Sequence, residues 1–180
     1  MEGSSKLTEE TKIQETKLSE ISIIFGKPDH ADILAEFNYK MGVETEDKHI
    51  DTALVSKAIH KLLSSQDESG DQRALGFYLV AVNLELTPIG CMMLTLEANP
   101  TVGGLVYMIQ SVFVEKEYRK QGVFRKLFER AKQLGEQDPE CRCLRLYVET
   151  ENEVAQKVYQ NMGMGEVDYS FMEKDFVFKH

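Results

Sequence analysis

Apolar residues cluster or alternate with polar ones in several short runs along the chain, and these runs predict the strands. They are rich in β-branched and aromatic residues and are separated by turn-forming or polar segments. The predicted strands are Ile21 to Phe25, Gly76 to Val82, Ile89 to Leu96, Leu105 to Val114, Leu144 to Val148 and, as one long or two short strands, Asp168 to Phe178. The run from Leu105 is largely apolar, which indicates a central position in the sheet.

Apolar residues three and four positions apart predict two helices between the first two strands. The first helix opens at Pro28 and ends at Gly42, and an acidic loop from Glu44 to Asp47 follows it. The second begins at Asp51. Its predicted buried stripe is Leu54, Val55, Ala58, Ile59, Leu62 and Leu63.

Two more helices are predicted in the second half of the chain. One follows Gly122 and closes at Asp138-Pro139, with an apolar face that includes Val123, Phe124, Leu127, Phe128, Ala131 and Leu134. The other begins after Thr150 or Asn152, since either residue fits the cap position, and ends at Met162-Gly163.

The order of these elements predicts a mixed α/β fold, in which one strand and two helices precede three antiparallel strands. A helix, a strand, a helix and the final strand or strands complete the order. The strands at Leu105 to Val114 and Leu144 to Val148 flank a helix, so they should be parallel, with a right-handed crossover. The chain of 180 residues predicts one domain over residues 18–180, preceded by a flexible polar tail over residues 1–17.

Composition excludes several functional classes. The chain is 42% hydrophobic and 28% charged, and its net charge of −9 argues against nucleic-acid or anionic-membrane binding as the main activity. No apolar run approaches the roughly 20 residues of a membrane span. Three cysteines suggest no disulfide framework, and the four histidines show no metal or triad spacing. We therefore expect reduced thiols, no metal site and a cytoplasmic location.

The segment from Tyr107 to Lys132 begins as a strand and ends as a helix, with the turn Arg119-Lys120-Gln121-Gly122 between them. Unpaired N–H groups and the positive end of the helix dipole favour an anion at such a turn. From Glu115 to Lys132, seven basic residues stand against three acidic ones. A solvated basic helix face is the alternative explanation. Our hypothesis is that the turn binds the pyrophosphate of a nucleotide-like cofactor.

Two motifs in this region resemble those of the GCN5-related N-acetyltransferase (GNAT) family. Val112-Phe113-Val114 followed by Tyr118 to Val123 is similar to motif A, where Arg119 and Gly122 match and Phe124 replaces the final small residue. Asn152, Ala155 and Tyr159, one strand later, match motif B on one helix face. The likeness covers Ile21 to about Phe178 and looks like a bacterial-type branch.

The resemblance implies a GNAT fold in which the two parallel strands splay apart, and it implies acetyl-CoA as cosubstrate. The backbone of Val112, Phe113 and Val114 would bind the pantetheine arm. Asn152 would touch that arm, and a backbone N–H near Val112 would stabilise the oxyanion. Tyr159 would approach the sulfur and act as the general acid. The residues implied at the pyrophosphate are Arg119, Lys120, Gln121, Gly122, Val123, Phe124 and Arg125.

The resemblance also implies direct transfer of the acetyl group to an amine, which needs a base. Glu97, Glu44 and Glu46 are the candidate bases, although each could equally be an ordinary surface carboxylate. Glu44 and Glu46 could also bind a cationic acceptor, and Tyr107 and Gln110 could line its pocket. A small-molecule primary amine is the expected acceptor, with a peptide N-terminus or a lysine second.

Two other classes of protein remain as alternatives. The domain could bind acyl-CoA as a sensor or partner-binding module without transferring the acetyl group. A dinucleotide-binding oxidoreductase is disfavoured because no G-x-G-x-x-G follows the first strand, which leads instead to Gly26-Lys27-Pro28. The sequence leaves the oligomeric state open, a homodimer included.

Overall fold

The computed structural model describes residues 20–46, 51–64 and 76–168 and the single positions 170, 172 and 174, without the side chains of residues 45 and 46. The chain divides into two compact units, Met1–Tyr147 and Val148–His180. In the first unit the strands are β1 (Ser22–Phe25), β2 (Gly76–Val82), β3 (Pro88–Asn99), β4 (Gly104–Val114) and β5 (Cys141–Leu146). Its helices are α1 (Ala31–Glu46), α2 (Thr52–Ser64) and α3 (Val123–Gln137), and the second unit contains α4 (Glu153–Asn161).

The strands form one mixed sheet in the order β1-β2-β3-β4-β5. Neighbours from β1 to β4 are antiparallel, whereas β4 and β5 are parallel, as the strand–helix–strand order predicted. The last parallel pair is Ile109 with Leu146, and β4 continues for five further residues to Val114. The mixed α/β fold and the parting of the two parallel strands are therefore confirmed.

Helices cover both faces of the sheet. On one face, α1 and α2 bury a core in which Leu34, Phe37 and Leu63 pack against Tyr78 and Val80. On the other face, α3 contacts all five strands. Its buried residues are Val123, Leu127, Phe128 and Ala131, which belong to the predicted apolar face. The start of α3 is thereby fixed at the end of the sheet where β4 also ends.

Three predicted boundaries or burials were wrong. The first helix does not end at Gly42, because this glycine is buried inside α1 and the helix runs on to Glu46. Leu54 and Ala58 do not belong to the buried stripe of α2, since both side chains are exposed. β5 begins at Cys141 and ends at Leu146, earlier at both ends than predicted.

Several predictions fall outside the described residues. The tail over residues 1–17 is not described. Of the predicted final strands from Asp168 to Phe178, the structure describes only positions 168, 170, 172 and 174. The single domain over residues 18–180 likewise stays a prediction. The three cysteines, all described, form no disulfide.

Candidate active site

The turn between β4 and α3 has the backbone shape of an anion site. After a 3₁₀ turn at Lys116–Tyr118, Lys120 and Gly122 both adopt left-handed backbone angles, with φ of 61° and 85°. Gly122 occupies the N-cap position and has no side chain to cap the helix, and the first helical hydrogen bond runs from Lys126 N to Gly122 O at 3.0 Å. The N–H groups of Val123 and Arg125 precede that bond, so the helical ladder leaves them available for an anion.

The side chain of Arg119 is exposed, but three contacts tie it to other parts of the protein. Its Nε donates to the carbonyl of Val114 at 2.8 Å, and its guanidinium lies 5.7 Å from the centre of the Phe113 ring. A second guanidinium nitrogen donates to Glu44 Oε2 at 2.8 Å. Arg119 therefore holds the turn against the end of β4 and to the last turn of α1.

Glu44 lies in the last turn of α1 and not in an acidic loop, which corrects the prediction. Its two carboxylate oxygens contact Arg119 at 2.8 Å and Lys116 Nζ at 3.3 Å. The hydrogen bond from Arg119, assisted by Lys116, lowers the pKa of the Glu44 carboxyl below its ordinary value. A carboxylate held in its charged form in this way is a poor proton acceptor, and this speaks against Glu44 as the base.

A bulge in β4 marks the point where β4 and β5 part. On β3, Met93 and Leu94 are consecutive, but they pair with Ser111 and Ile109, so Gln110 is the extra residue. Beyond Ile109, alternate N–H groups of β4 point to the side that β5 has left, as the predicted oxyanion site near Val112 requires. Sequence reasoning missed the bulge, because no glycine or proline marks it.

Glu97 and Gln110 lie on the same face of the sheet. The Gln110 side-chain amide donates to Thr95 Oγ1 at 2.9 Å, and Glu97 follows Thr95 by two residues on β3. Both Gln110 and Glu97 are exposed. The sheet thus puts one predicted base and one predicted acceptor contact on the same face, with Glu97 opposite Val106, four residues before the bulge at Gln110.

Tyr107 lies on the opposite face, with its side chain almost fully buried. Its hydroxyl donates to Asp138 Oδ2 at 2.7 Å, and Asp138 caps the C-terminal end of α3. This contact gives Tyr107 a structural task, while its place in the acceptor pocket stays a prediction. The side chain of Glu46 is outside the part of the chain that the structure describes, so its role stays a prediction as well.

The predicted cofactor residues of β4 and the turn follow one another along the same edge. Phe113 is buried and stacks on Phe37 with ring centres 4.9 Å apart, which leaves its backbone as the only part suited to bind a ligand. Gln121 donates to the carbonyl of Glu117 and closes the turn internally. Arg125 is exposed beside the helix start. Together with the bare N-cap at Gly122, these residues fit a pyrophosphate group.

In the second unit, Asn152 and Tyr159 lie at the two ends of α4. Asn152 is the N-cap, and its side-chain oxygen accepts a hydrogen bond from Ala155 N at 3.0 Å, so the choice between Thr150 and Asn152 falls to Asn152. Burial raises the pKa of the Tyr159 phenol above its ordinary value of 10.0. Tyr159 is therefore protonated at neutral pH, as a proton donor has to be.

A model of the acetyltransferase (GNAT) family matches residues 45–164, and the chain belongs to this family. A "possible acetyltransferase" from Clostridium difficile 630 is 34% identical, with a TM-score of 0.77 over 88% of this chain and 99% of that one. An aminoglycoside N-acetyltransferase, AAC(6')-Iy in complex with CoA, is 17% identical, with a TM-score of 0.67 over 87% and 95% of the chains. No curated protein matches the chain.

A further solved structure with the same fold is the ribosomal-protein-alanine N-acetyltransferase from Brucella melitensis biovar Abortus 2308. It is 16% identical, with a TM-score of 0.64 over 87% of this chain and 99% of that one. At such identities a likeness shows the fold alone. The family match establishes that the protein is an N-acetyltransferase and that acetyl-CoA is its cosubstrate.

Two negative findings concern the described residues only. No helix among them is long and apolar enough to cross a membrane. No group of three or more ligating side chains among them could hold a metal ion.

Proposed function

We propose that the protein transfers the acetyl group of acetyl-CoA directly to the primary amine of a small molecule. The observation that carries this proposal is the continuity of three features along one segment: the bulge at Gln110, the half of β4 that β5 leaves open, and the turn at Gly122. A thioester lying along this segment would have its reacting carbonyl at the bulge and its pyrophosphate at the helix start.

Acetyl-CoA supplies the acetyl group as a thioester. The backbone of Val112 to Val114 binds the pantetheine arm, and the N–H groups at the start of α3 bind the pyrophosphate. A backbone N–H near Val112 faces the carbonyl oxygen and stabilises negative charge on it. As the new carbon–nitrogen bond forms and the carbon–sulfur bond breaks, Tyr159 gives its proton to the departing sulfur.

The attacking amine has to lose a proton, and we assign this step to Glu97, acting directly or through water. Glu97 shares a sheet face with Gln110, which contacts the acceptor in this proposal. We expect Glu97→Gln to remove or displace the acidic limb of the pH–rate profile, because the limb reports protonation of the base. Glu85→Gln, in the exposed turn between β2 and β3, is the matched control. An acidic limb that coincides with the wild-type limb would exclude Glu97 as the base.

The acceptor class is supported by the net charge of −9, which favours a cationic amine, and by the fold shared with an aminoglycoside acetyltransferase. The fold is equally shared with an enzyme whose acceptor is a ribosomal-protein alanine, so a peptide acceptor is the second candidate.

The test is the release of CoA thiol from acetyl-CoA in the presence of small primary amines or of peptides with a free N-terminus or lysine. Release that depends on a small amine supports the proposal, whereas release with peptides alone would select the second candidate. No release with any amine, despite binding of acetyl-CoA, would favour a sensor.

A further inference from the structure

One face of α1 lies against the segment that leads from β4 into the turn Arg119-Lys120-Gln121-Gly122, which is called the cofactor turn below. Phe37, Lys40 and Glu44 are three and four residues apart and so share one helix face. Phe37 stacks on Phe113, and Lys40 Nζ contacts Glu115 Oε1 at 2.7 Å. One turn further along the helix, Glu44 reaches the cofactor turn itself.

Both oxygens of Glu44 contact cations of the link between β4 and α3, one in the cofactor turn and one in the 3₁₀ turn before it. Oε2 accepts from Arg119 at 2.8 Å, and Oε1 contacts Lys116 Nζ at 3.3 Å. The Glu44 side chain is 29% exposed and that of Arg119 is 40% exposed, so water screens this pair in part. Arg119 immediately precedes Lys120 and stands three residues before Gly122, and the left-handed backbone angles of these two residues shape the helix start.

We propose that Glu44 is a positioning residue for acetyl-CoA, which acts by holding Arg119 and, through it, the backbone of the cofactor turn. The proposal rests on the assignment of the pyrophosphate to this turn. Left-handed angles at a non-glycine residue are unfavourable by themselves, so contacts outside the turn have to maintain them. Glu44 supplies such a contact from a helix 75 residues away in sequence.

The charge of Glu44 and its positioning role predict opposite effects on binding. A carboxylate near the pyrophosphate repels it, so if charge alone mattered, Glu44→Gln would tighten the binding of CoA. If Glu44 positions the turn, the same substitution loosens Arg119 and weakens binding. We expect a Kd for CoA about 5- to 20-fold higher than that of the wild type, the range for loss of a partly exposed charge-assisted hydrogen bond.

The experiment is calorimetric titration of the full chain with CoA, together with steady-state kinetics. Glu136→Gln is the matched control. Glu136 also forms an ion pair, with Lys132 at 3.8 Å, but this pair lies at the C-terminal end of α3, away from the cofactor turn. For Glu44→Gln we expect a higher KM for acetyl-CoA, with kcat at saturation within about twofold of wild type. A purely structural defect would lower kcat and the melting temperature together.

A double-mutant cycle tests whether Glu44 acts through Arg119. If it does, Glu44→Gln combined with Arg119→Gln binds CoA no more weakly than Arg119→Gln alone. Additive losses, or a Kd for Glu44→Gln that is unchanged or lower, would overturn the proposal.

The variant Gly122→Ala distinguishes failure of this proposal from failure of the proposed pyrophosphate site itself. If that variant loses affinity while Glu44→Gln does not, the turn binds CoA without help from Glu44, and if neither loses affinity the pyrophosphate lies elsewhere.

Discussion

Tyr159 is the side chain on which the proposed chemistry depends most. Its burial raises the pKa of the phenol, so the proton stays on the oxygen through the neutral range and well into the alkaline one. A departing thiolate can take a proton from a phenol held in its neutral form. The same shift places any alkaline limb caused by Tyr159 above pH 10.

We expect Tyr159→Phe to lower kcat by roughly 10²-fold while leaving the Kd for CoA within a few-fold of wild type. The reason is that the substitution removes one donor and little volume. Rapid-mixing or steady-state thiol release gives kcat, and calorimetry gives Kd. Tyr39→Phe, on a half-buried tyrosine of α1, is the control. Undiminished turnover would remove Tyr159 from the chemistry.

Two tasks are open to Tyr107, and different measurements separate them. Its place on the central strand predicts an acceptor contact, and its hydroxyl donates to the buried Asp138, which is a structural contact. We expect Tyr107→Phe to lower the free energy of unfolding by about 1–3 kcal/mol, because a buried carboxylate loses a donor. Denaturant unfolding measures this. A raised KM for the amine with unchanged stability would instead place Tyr107 in the acceptor pocket.

Among the elements, the junction of β4 with α3 carries the proposed pyrophosphate site, and substitution of Gly122 tests it most directly. An alanine there would have to adopt φ near 85°, which costs about 1 kcal/mol, and its methyl group would stand where the proposal places the anion. We therefore expect Gly122→Ala to weaken CoA binding by about tenfold or more in calorimetric titration.

Gly103 provides the matched control for this substitution. It also has a left-handed φ, of 71°, but it lies in the turn between β3 and β4, and no atom lies within 4 Å of an added methyl group. Gly103→Ala should lower stability by a similar amount and leave CoA binding unchanged. Equal losses of affinity in both variants would mean that the effect is one of general stability.

Local patterns predicted most elements because turn residues and apolar periodicity act over short distances. They failed where a distant contact decides the outcome. Gly42 reads as a helix end, yet α1 continues because the glycine is buried and the last turn is held by ion pairs from Glu44 to Lys116 and Arg119. The strand, turn and helix that carry the motif positions from Val112 to Arg125 could be predicted from the sequence, since they form one continuous segment.

The remainder of the site depends on contacts between segments and could not be predicted. The bulge at Gln110 appears only when β4 is paired with β3, and the bond from Arg119 to Glu44 spans 75 residues. The register of β3 with β4 also puts Glu97 and Gln110 on one face of the sheet, which no local pattern indicates. Such features arise from tertiary packing, whose effect on a given residue is not encoded by its neighbours in sequence.

At the scale of the whole molecule, charge is distributed unevenly in a way that suits the cosubstrate. The chain carries a net charge of −9, but seven basic residues stand against three acidic ones between Glu115 and Lys132. At the proposed site, this local excess of positive charge would attract the phosphates of CoA. Binding of the cosubstrate should therefore raise the stability of the folded chain by mass action.

The most direct test is a thermal unfolding titration with acetyl-CoA, with ATP and NAD as controls and Gly122→Ala measured in parallel. We predict that acetyl-CoA raises the wild-type melting temperature in proportion to the logarithm of its concentration, with ATP and NAD giving little shift and the variant responding only at higher concentrations. No shift with acetyl-CoA, or an identical shift in Gly122→Ala, would contradict the assignment of the cosubstrate to the turn at Gly122.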